Sequence, residues 1–252
     1  MSLFRAFIKS QKWLSSRFDQ FFPAKFRLDG NRDYLNSVIP GYLKTNIVIY
    51  DIGGGKTPCL SLDSKRNLSA KVVGLDIDKA ELDSAAAGAY DSVICADITG
   101  FKGCQDADLI ICQALLEHVE NIKSAFAAIT SILKPGGQAL IFVPSRNAVF
   151  ARLNLLLPQS VKQKILYTIF PEKRKNQGFP AYYNCCTPAG FKKLAAANSL
   201  AVIEERYYYT SSYFSFFFPL YAIWRLWLLL FHAVAREHAA ETFCLVLQKP
   251  VE

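Results

Sequence analysis

Two strand ends that carry glycines and aspartates constrain the fold of this chain more than any other feature. The run Val48-Ile-Tyr-Asp51-Ile leads into Gly53-Gly-Gly55, and the run Val72-Val-Gly-Leu leads into Asp76-Ile-Asp78. Short apolar runs of this kind are typical of parallel strands buried on both faces, whose carboxyl ends form ligand crevices. Glycines let the backbone approach a ligand where a Cβ atom would collide. We therefore predict an open α/β sheet with a binding crevice at this edge.

The charge at this crevice favours a cationic nucleoside ligand over a dinucleotide. A dinucleotide loop of the G-x-G-x-x-G type places a pyrophosphate at a helix N-terminus, where an acid at the end of the first strand would repel it. Here Asp51 holds that position, and Pro58 stands in place of the third glycine. S-Adenosylmethionine fits better, because it has no phosphate and carboxylates stabilise its ammonium and sulfonium charges.

Two more aspartates follow later strands and predict contacts to the rest of this ligand. Asp76, with Ile77 beside it, is placed to accept both ribose hydroxyls, and Asp97 with Ile98 offers an acceptor and an apolar face to adenine. Any one of these aspartates alone is typical of a turn or a helix N-cap. Three of them in register after three strands favour ligand binding.

These motifs resemble those of class I S-adenosylmethionine-dependent methyltransferases of the small-molecule type, over roughly residues 34–248. The resemblance implies a Rossmann-like, mostly parallel seven-stranded sheet with an antiparallel strand at the end, plus amphipathic helical additions. It implies a cofactor site formed by Asp51, Gly53, Gly54, Gly55, Asp76, Ile77, Asp97, Ile98 and Gln113. Thr57 and Pro58 depart from the family, which commonly has another glycine there, and this departure bears on cofactor affinity.

His118 and Glu117, after the fourth predicted strand, are the candidate catalytic residues. A hydroxyl acceptor is helped by a general base, and histidine titrates near neutral pH. Glu117 would orient His118 or meet the methionine end of the cofactor. The alternative for His118 is a hydrogen-bonded residue that opens the next helix, and both interpretations stay open. Cys185-Cys186 has no partner at metal-ligand spacing, so no metal site is predicted.

The hydrophobic pattern divides the chain into four regions. We predict a basic amphipathic helical region at 1–43, a cofactor-binding core at 44–150, a lid or substrate insertion at 151–186, and the rest of the sheet at 187–252. In the last region, the connection 211–241 is far longer than the few residues that a hairpin takes. Pro219 and Arg225 interrupt its apolar run, which indicates an interfacial helix or a re-entrant hairpin rather than a spanning helix.

Three basic and aromatic segments predict a peripheral or monotopic location on anionic lipids. The first helix places apolar residues on one face, and the others are the connection 211–241 and the segment 154–175. The formal net charge of +8 favours anionic partners. We expect a cytoplasmic protein on the inner face of a membrane, with a mitochondrial location as the alternative, since no acid precedes Asp19. Packing of the first helix on its own domain is the other interpretation. The predicted face of that helix consists of Leu3, Phe7, Leu14, Phe18 and Phe21.

The leading hypothesis for function is methylation of a hydroxyl on a lipid-linked or amphipathic acceptor, such as a glycan, a quinone precursor or a lipid. The alternatives are an RNA methyltransferase and a non-catalytic scaffold that binds a membrane or a partner protein. Enzymes of the family that methylate base amines carry an Asn/Asp-Pro-Pro-aromatic turn after the fourth strand, where this chain has Gln113-Ala-Leu-Leu. Nucleic acid is therefore the disfavoured partner.

Overall fold

The computed structural model describes residues 3–158 and 179–251. Within these residues the strands form one seven-stranded sheet in the order β3-β2-β1-β4-β5-β7-β6, with β7 antiparallel to both of its neighbours and the other pairs parallel. The predicted fold class is confirmed. The strands are β1 (Val48–Ile52), β2 (Lys71–Asp76), β3 (Ser92–Cys95), β4 (Ala107–Gln113), β5 (Leu133–Pro144), β6 (Ala201–Tyr208) and β7 (Thr242–Gln248).

Helices cover the sheet and extend it at the N-terminus and between β6 and β7. Those that the structure describes are α1 (Leu3–Asp19), α2 (Gly30–Asp33), α3 (Ile39–Tyr42), α4 (Leu62–Asn67), α5 (Lys79–Asp83), α6 (Ile122–Ile132), α7 (Val149–Leu156), α8 (Pro188–Ala197) and α9 (Phe218–Ala235). Short 3₁₀ turns lie at Ala24–Phe26, Leu116–His118 and Arg236–Ala239, and a π-helical turn, Tyr34–Val38, joins α2 to α3. The predicted segment 154–175 lies mostly outside the described residues.

The buried strands explain why the chain forms this sheet. In the central strands β4 and β5, apolar side chains such as Ile110, Ile111 and Ile141 are buried on both faces of the sheet. The helix α6 covers one face with Phe126 and Ile129, which recur at helical spacing. Strands and helix together form the main hydrophobic core.

Strand β5 begins earlier than the sequence suggests. Pro135-Gly136-Gly137 is a turn-forming sequence that by itself favours a break between the helix and the strand. The helix does end at Ile132, but the strand starts at Leu133, which pairs with Ala107 across a register shift. Gly136 adopts a φ of 78°, which favours glycine, and donates a backbone hydrogen bond to Lys249. Pairing with β4 and with the chain after β7 therefore outweighs the turn propensity of these residues.

The connection between β6 and β7 contains one continuous helix, α9, so the alternative of a re-entrant hairpin is wrong. The helix begins with Pro219 in its first turn, where the missing N–H of proline costs nothing. By length and composition, Phe218–Ala239 is the one candidate for a membrane span among the described residues, and 22% of its apolar window is buried. Length and composition alone do not separate a spanning helix from a helix at a surface.

Helix α1 packs beside α9 through a buried ion pair. The side chain of Arg225 is 0% exposed, and its Nε atom lies 2.8 Å from the Asp19 carboxylate at the end of α1. Its other nitrogens donate to the carbonyl oxygens of Tyr209 and Phe26 at 2.6 and 2.7 Å. The Tyr221 hydroxyl also donates to Asp19. Arg225 therefore ties α1 and α9 to the body of the domain.

The helix α1 buries only part of its surface. Phe18 packs against Phe22 and Phe218, whereas Leu3, Phe7 and Leu14 are exposed. The expectation that Phe21 belongs to this helix is wrong, because α1 ends at Asp19. One side of α1 therefore packs on its own domain, and an apolar side remains open.

Candidate active site

The loop after β1 folds around the carboxylate of Asp51. This side chain is 3% exposed and accepts hydrogen bonds from the Cys59 N–H at 2.7 Å and the Tyr90 hydroxyl at 3.2 Å. A Cβ atom on Gly54 would lie 2.4 Å from the same carboxylate, so only glycine fits there. Burial raises the pKa of Asp51 to about 6 against the lowering effect of these hydrogen bonds. Both hydrogen bonds reach one oxygen, Oδ2, through which Asp51 holds the loop in shape, and the assignment of Asp51 to the cofactor stays a prediction.

The same loop brings its glycines next to Asp76. Gly53 and Gly55 have φ values of 78° and 50°, in the left-handed region that favours glycine. A Cβ atom on Gly55 would lie 3.3 Å from a carboxylate oxygen of Asp76. Asp76 ends β2, and its other oxygen accepts the backbone N–H of Asp78 at 2.9 Å. The loop and the acid therefore form one crevice at the carboxyl edge of the sheet.

Ile77, which follows β2, and the two residues assigned to adenine, which follow β3, differ in exposure. Ile77 is 56% exposed beside Asp76, and Asp97 is exposed and accepts the backbone N–H of Thr99 at 2.8 Å. Ile98, which we expected to offer an apolar face, is buried in the main core instead. The exposed Ile77 is the better placed of the two isoleucines to cover an adenine ring, and both assignments stay predictions.

Gln113 ends β4 at the same edge of the sheet. Its side-chain amide donates to Asn31 in the N-terminal region, and the next residue, Ala114, has a φ of 50°. The parallel register pairs Ile52 of β1 with both Leu75 of β2 and Cys112 of β4. The loops after these three strands therefore start side by side, as a ligand lying across the strand ends requires.

His118 lies in the 3₁₀ turn after β4 and is held in one orientation. Its Nδ1 atom is 2.8 Å from the carbonyl oxygen of Pro180, and its side chain is 30% exposed. A carbonyl oxygen can only accept, so Nδ1 carries the proton and the neutral ring presents a bare Nε2 atom. Nε2 lies 3.7 Å from the carboxyl group of Glu117, too far for a hydrogen bond. The arrangement leaves Nε2 able to accept a proton.

Glu117 is a buried carboxyl group beside that histidine. Its side chain has an oxygen, Oε2, with no hydrogen-bond partner among the described residues, and burial raises its pKa to about 8. Glu117 is therefore mostly protonated and uncharged at neutral pH. Its backbone carbonyl accepts the N–H groups of Tyr182 and Tyr183, which brings the C-terminal part of the region 151–186 against the end of β4.

Sequence reasoning missed several residues that complete this region. Tyr213, although 58% exposed, stacks its ring on Phe150 of α7, and partial burial together with the charges of Glu117 and Glu241 raises the pKa of its phenol. Glu241, just before β7, is itself buried with a pKa raised to about 7. Pro180 anchors His118, and Tyr90 closes the Asp51 loop. They come from four distant parts of the chain, and no local motif marks them.

The strand order and the residues at this edge are those of a class I S-adenosylmethionine-dependent methyltransferase domain. The edge carries a glycine loop around a buried acid, a second acid at the tip of β2 and a histidine after β4. The crevice fits the cofactor on two counts: a Cβ on Gly55 would crowd Asp76, and Glu117 carries a buried oxygen that has no hydrogen-bond partner among the described residues. Asp76 and the exposed Ile77 are placed to hold the nucleoside end. S-Adenosylmethionine, the predicted cofactor, is the methyl donor of this class.

Comparison with known proteins confirms the class. Residues 50–141 match the family described as Methyltransferase domain. A ubiquinone biosynthesis O-methyltransferase of Shewanella pealeana is 27% identical over 124 residues, 46% of this chain and 50% of the relative. One of Cupriavidus pinatubonensis is 25% identical over 176 residues, covering 67% of this chain and 65% of the relative. The chain thus spans about half to two thirds of the length of these curated relatives.

A solved structure supports the fold independently. A SAM-dependent methyltransferase from Archaeoglobus fulgidus superposes with a TM-score of 0.53 over 93% of this chain and 99% of that chain, at 15% identity. At this identity the likeness shows the fold alone, because one fold hosts many reactions. The identity of the methyl acceptor depends on the residues of the site.

Proposed function

We propose that this chain is an S-adenosylmethionine-dependent O-methyltransferase that acts on a lipid-linked or amphipathic acceptor at a membrane surface. The observation that carries the proposal is the orientation of His118, whose Nδ1–H is bound to Pro180 so that Nε2 is free to take a proton. The curated relatives are named as ubiquinone biosynthesis O-methyltransferases, and their names support the same type of acceptor.

The residues around His118 suit transfer to a hydroxyl. S-Adenosylmethionine supplies the methyl group, and transfer to oxygen is faster when the hydroxyl proton leaves as the new bond forms. Nε2 of His118 accepts that proton, while the Pro180 carbonyl stabilises the imidazolium through Nδ1–H. Glu117, uncharged before binding, gains a favourable partner when a cationic cofactor enters, because a nearby positive charge lowers its pKa.

A broad apolar surface supports the membrane part of the proposal. We call it the α1/α9 apolar face, and its members are Leu3, Phe4, Phe7, Trp13 and Leu14 of α1 with Ile223, Leu226, Trp227, Leu230 and Val234 of α9. Exposed Lys9, Lys12 and Arg17 lie among the apolar residues of α1. Aromatic and aliphatic side chains with interspersed cations suit the headgroup boundary of an anionic bilayer.

The position of Arg225 favours a helix at the surface over a helix across the membrane. An unpaired arginine at the centre of a spanning helix costs about 2.5–3.5 kcal/mol on insertion scales. Here Arg225 faces the protein, where it forms an ion pair with Asp19 and donates to two carbonyl oxygens, so α9 presents only its opposite side. We infer peripheral attachment, with the cytoplasmic and mitochondrial alternatives for the compartment both open.

The direct test follows a labelled methyl group. Membranes from the source cells are incubated with the purified chain and S-adenosylmethionine that carries a labelled methyl group. We expect label in the organic-extractable fraction, because the proposed acceptor is amphipathic. Label in the RNA fraction would instead support an RNA methyltransferase. A protein that binds the cofactor but labels no fraction would support the scaffold alternative.

A surface double variant tests membrane attachment separately from cofactor binding. Leu226→Gln/Leu230→Gln changes two exposed side chains of the α1/α9 apolar face and leaves the buried Arg225 contacts in place. We expect this variant to lose flotation with vesicles that contain an anionic phospholipid. Its cofactor affinity should stay at the wild-type value. Unchanged flotation would exclude α9 as the attachment surface.

A further inference from the structure

An apolar groove runs between α7 and α9. Its volume is about 630 Å³, within the ~300–1,000 Å³ range of small-molecule sites. Leu153 of α7 and Ile223 and Trp227 of α9 line it, together with Phe214 and Trp224, whose ring centroids are 5.7 Å apart. Nothing in the proposed methyl-transfer step uses this groove.

The groove leads to the region of His118. It reaches Asn147, three residues beyond the carboxyl end of β5, and Phe214, the neighbour of Tyr213. The Tyr213 ring stacks on Phe150 of α7, with ring centroids 4.1 Å apart and an interplanar angle of 13°. The residue before Asn147 also reaches the turn that holds His118, because the Arg146 N–H donates to the Cys186 carbonyl oxygen at 2.7 Å and the Cys186 thiol donates to the Leu116 carbonyl oxygen at 3.8 Å. The groove and the candidate catalytic residues are thus joined by packed and hydrogen-bonded residues.

Asn147 and Arg152, the polar side chains of the lining, hydrogen-bond within the protein. Arg152 donates to the side-chain oxygen of Asn147 at 3.1 Å, and the Asn147 amide donates to the carbonyl oxygen of His238 at 3.1 Å. The remaining lining residues are aliphatic or aromatic. An extended peptide would leave its own N–H and C=O groups unpaired in such a groove, whereas a hydrocarbon chain has none to satisfy. The lining therefore favours a hydrocarbon over a peptide.

We propose that this groove binds a single hydrocarbon chain, isoprenoid or acyl, that belongs to the methyl acceptor. The hydroxyl-bearing head then lies toward His118, and the chain leaves along α9 past Ile223 and Trp227. This assignment of the chain to the acceptor rests on the proposed function. The groove opens beside the α1/α9 apolar face, since Ile223 and Trp227 belong to both. A chain can therefore pass from a bilayer into the groove without crossing water.

Tryptophan fluorescence offers a test that needs no turnover. The chain has three tryptophans, and Trp224 and Trp227 line the groove while Trp13 lies on α1. In full-length protein with Trp13→Phe, all emission therefore comes from the groove. A brominated single-chain C16 alcohol, added below its aggregation concentration, should quench this emission saturably.

Matched double variants locate the binding. Leu153→Gln/Ile223→Gln places amides in the groove and should weaken binding of the brominated alcohol about tenfold or more. Leu226→Gln/Leu230→Gln makes the same change on exposed positions of α9 outside the lining and should leave that affinity within about twofold. Circular dichroism verifies that both variants are folded. Equal weakening in the two variants, or quenching that never saturates, would overturn the proposal.

The link to the acceptor is tested separately. Two dihydroxyphenyl acceptors, one with a C15 isoprenoid chain and one without a chain, are compared in the methylation assay. The groove variant should raise KM for the chain-bearing acceptor and leave kcat/KM for the chainless acceptor unchanged. Saturable quenching without methylation of either acceptor would keep the hydrocarbon site and contradict the proposed function. Self-association of the chain that blocks quenching would show that a second copy occupies the groove and would overturn the inference.

Discussion

Replacing His118 with alanine is expected to lower kcat by about 10²–10⁴-fold, the usual contribution of a positioned general base. The cause is the loss of Nε2, which the Pro180 carbonyl holds in its proton-accepting form. The measurement is the initial rate of methyl transfer at saturating cofactor. Cofactor affinity should not change, because His118 lies after β4 and the nucleoside residues follow β1 and β2.

Glu117→Gln is the matched control for this prediction. Burial raises the pKa of Glu117 from its usual value near 4.5 to about 8, so the group is uncharged below that pH and an amide mimics it. We expect this variant to bind the cofactor more weakly, because an amide cannot ionise beside a cation, but to keep kcat at saturating cofactor close to wild type. A His118→Ala enzyme with an undiminished rate would show that the histidine only anchors the turn after β4.

Arg225→Met is expected to lower the free energy of unfolding by about 3–5 kcal/mol, the usual cost of breaking a buried ion pair from one side. Methionine fills similar space but leaves Asp19 and the carbonyl oxygens of Tyr209 and Phe26 without their donor. It also removes the guanidinium stacked 4.4 Å from the Phe22 ring centroid. Denaturant unfolding followed by circular dichroism gives the value.

Two other variants check the origin of that loss. Arg17→Met makes the same exchange at an exposed position of α1 and should change stability by less than about 0.5 kcal/mol. Arg225→Lys keeps the charge but loses the fork of donors, and its effect should fall between the other two. Equal stability of Arg225→Met and wild type would mean that α1 and α9 are not joined through this residue.

The sheet could be predicted from sequence because its signals are local. Each central strand is a short apolar run, and each acid or glycine at its end is adjacent to it in the chain. The strand β7 is another such apolar run, and α8 follows Thr187, whose hydroxyl caps the helix by accepting the Gly190 N–H. Parallel pairing then brings the strand ends together without further information.

The role of Asp51 could not be predicted in the same way. Its position at the end of β1 identifies the motif. The groups that donate hydrogen bonds to its carboxylate, however, belong to Cys59, eight residues later, and to Tyr90, which follows β2 in the chain. Likewise, the core buries Ile98 and leaves Ile77 exposed. Such choices are made by tertiary packing, and the chain carries no periodic signal for them.

The role of Arg225, outside the sheet, could not be predicted from sequence either. In sequence it is a charge that interrupts an apolar run, which indicated a helix unable to span a membrane. Its partners Asp19 and Phe26 lie about 200 residues away, and only the fold reveals that the charge is buried against them. The aromatic run, interpreted as a lipid contact, also supplies Phe214 and Trp224 to the groove.

The most direct test of the central claim is a calorimetric titration of S-adenosylmethionine into wild-type protein and Asp76→Ala. The carboxylate at the tip of β2 is placed to accept two ribose hydroxyls, and hydrogen bonds to a charged group contribute about 1.5–3 kcal/mol each, so affinity should fall at least ~100-fold. Asp63→Ala, an exposed acid on α4, should bind like wild type. Wild-type affinity in Asp76→Ala, or no binding by the wild-type protein, would contradict a cofactor site at this edge of the sheet.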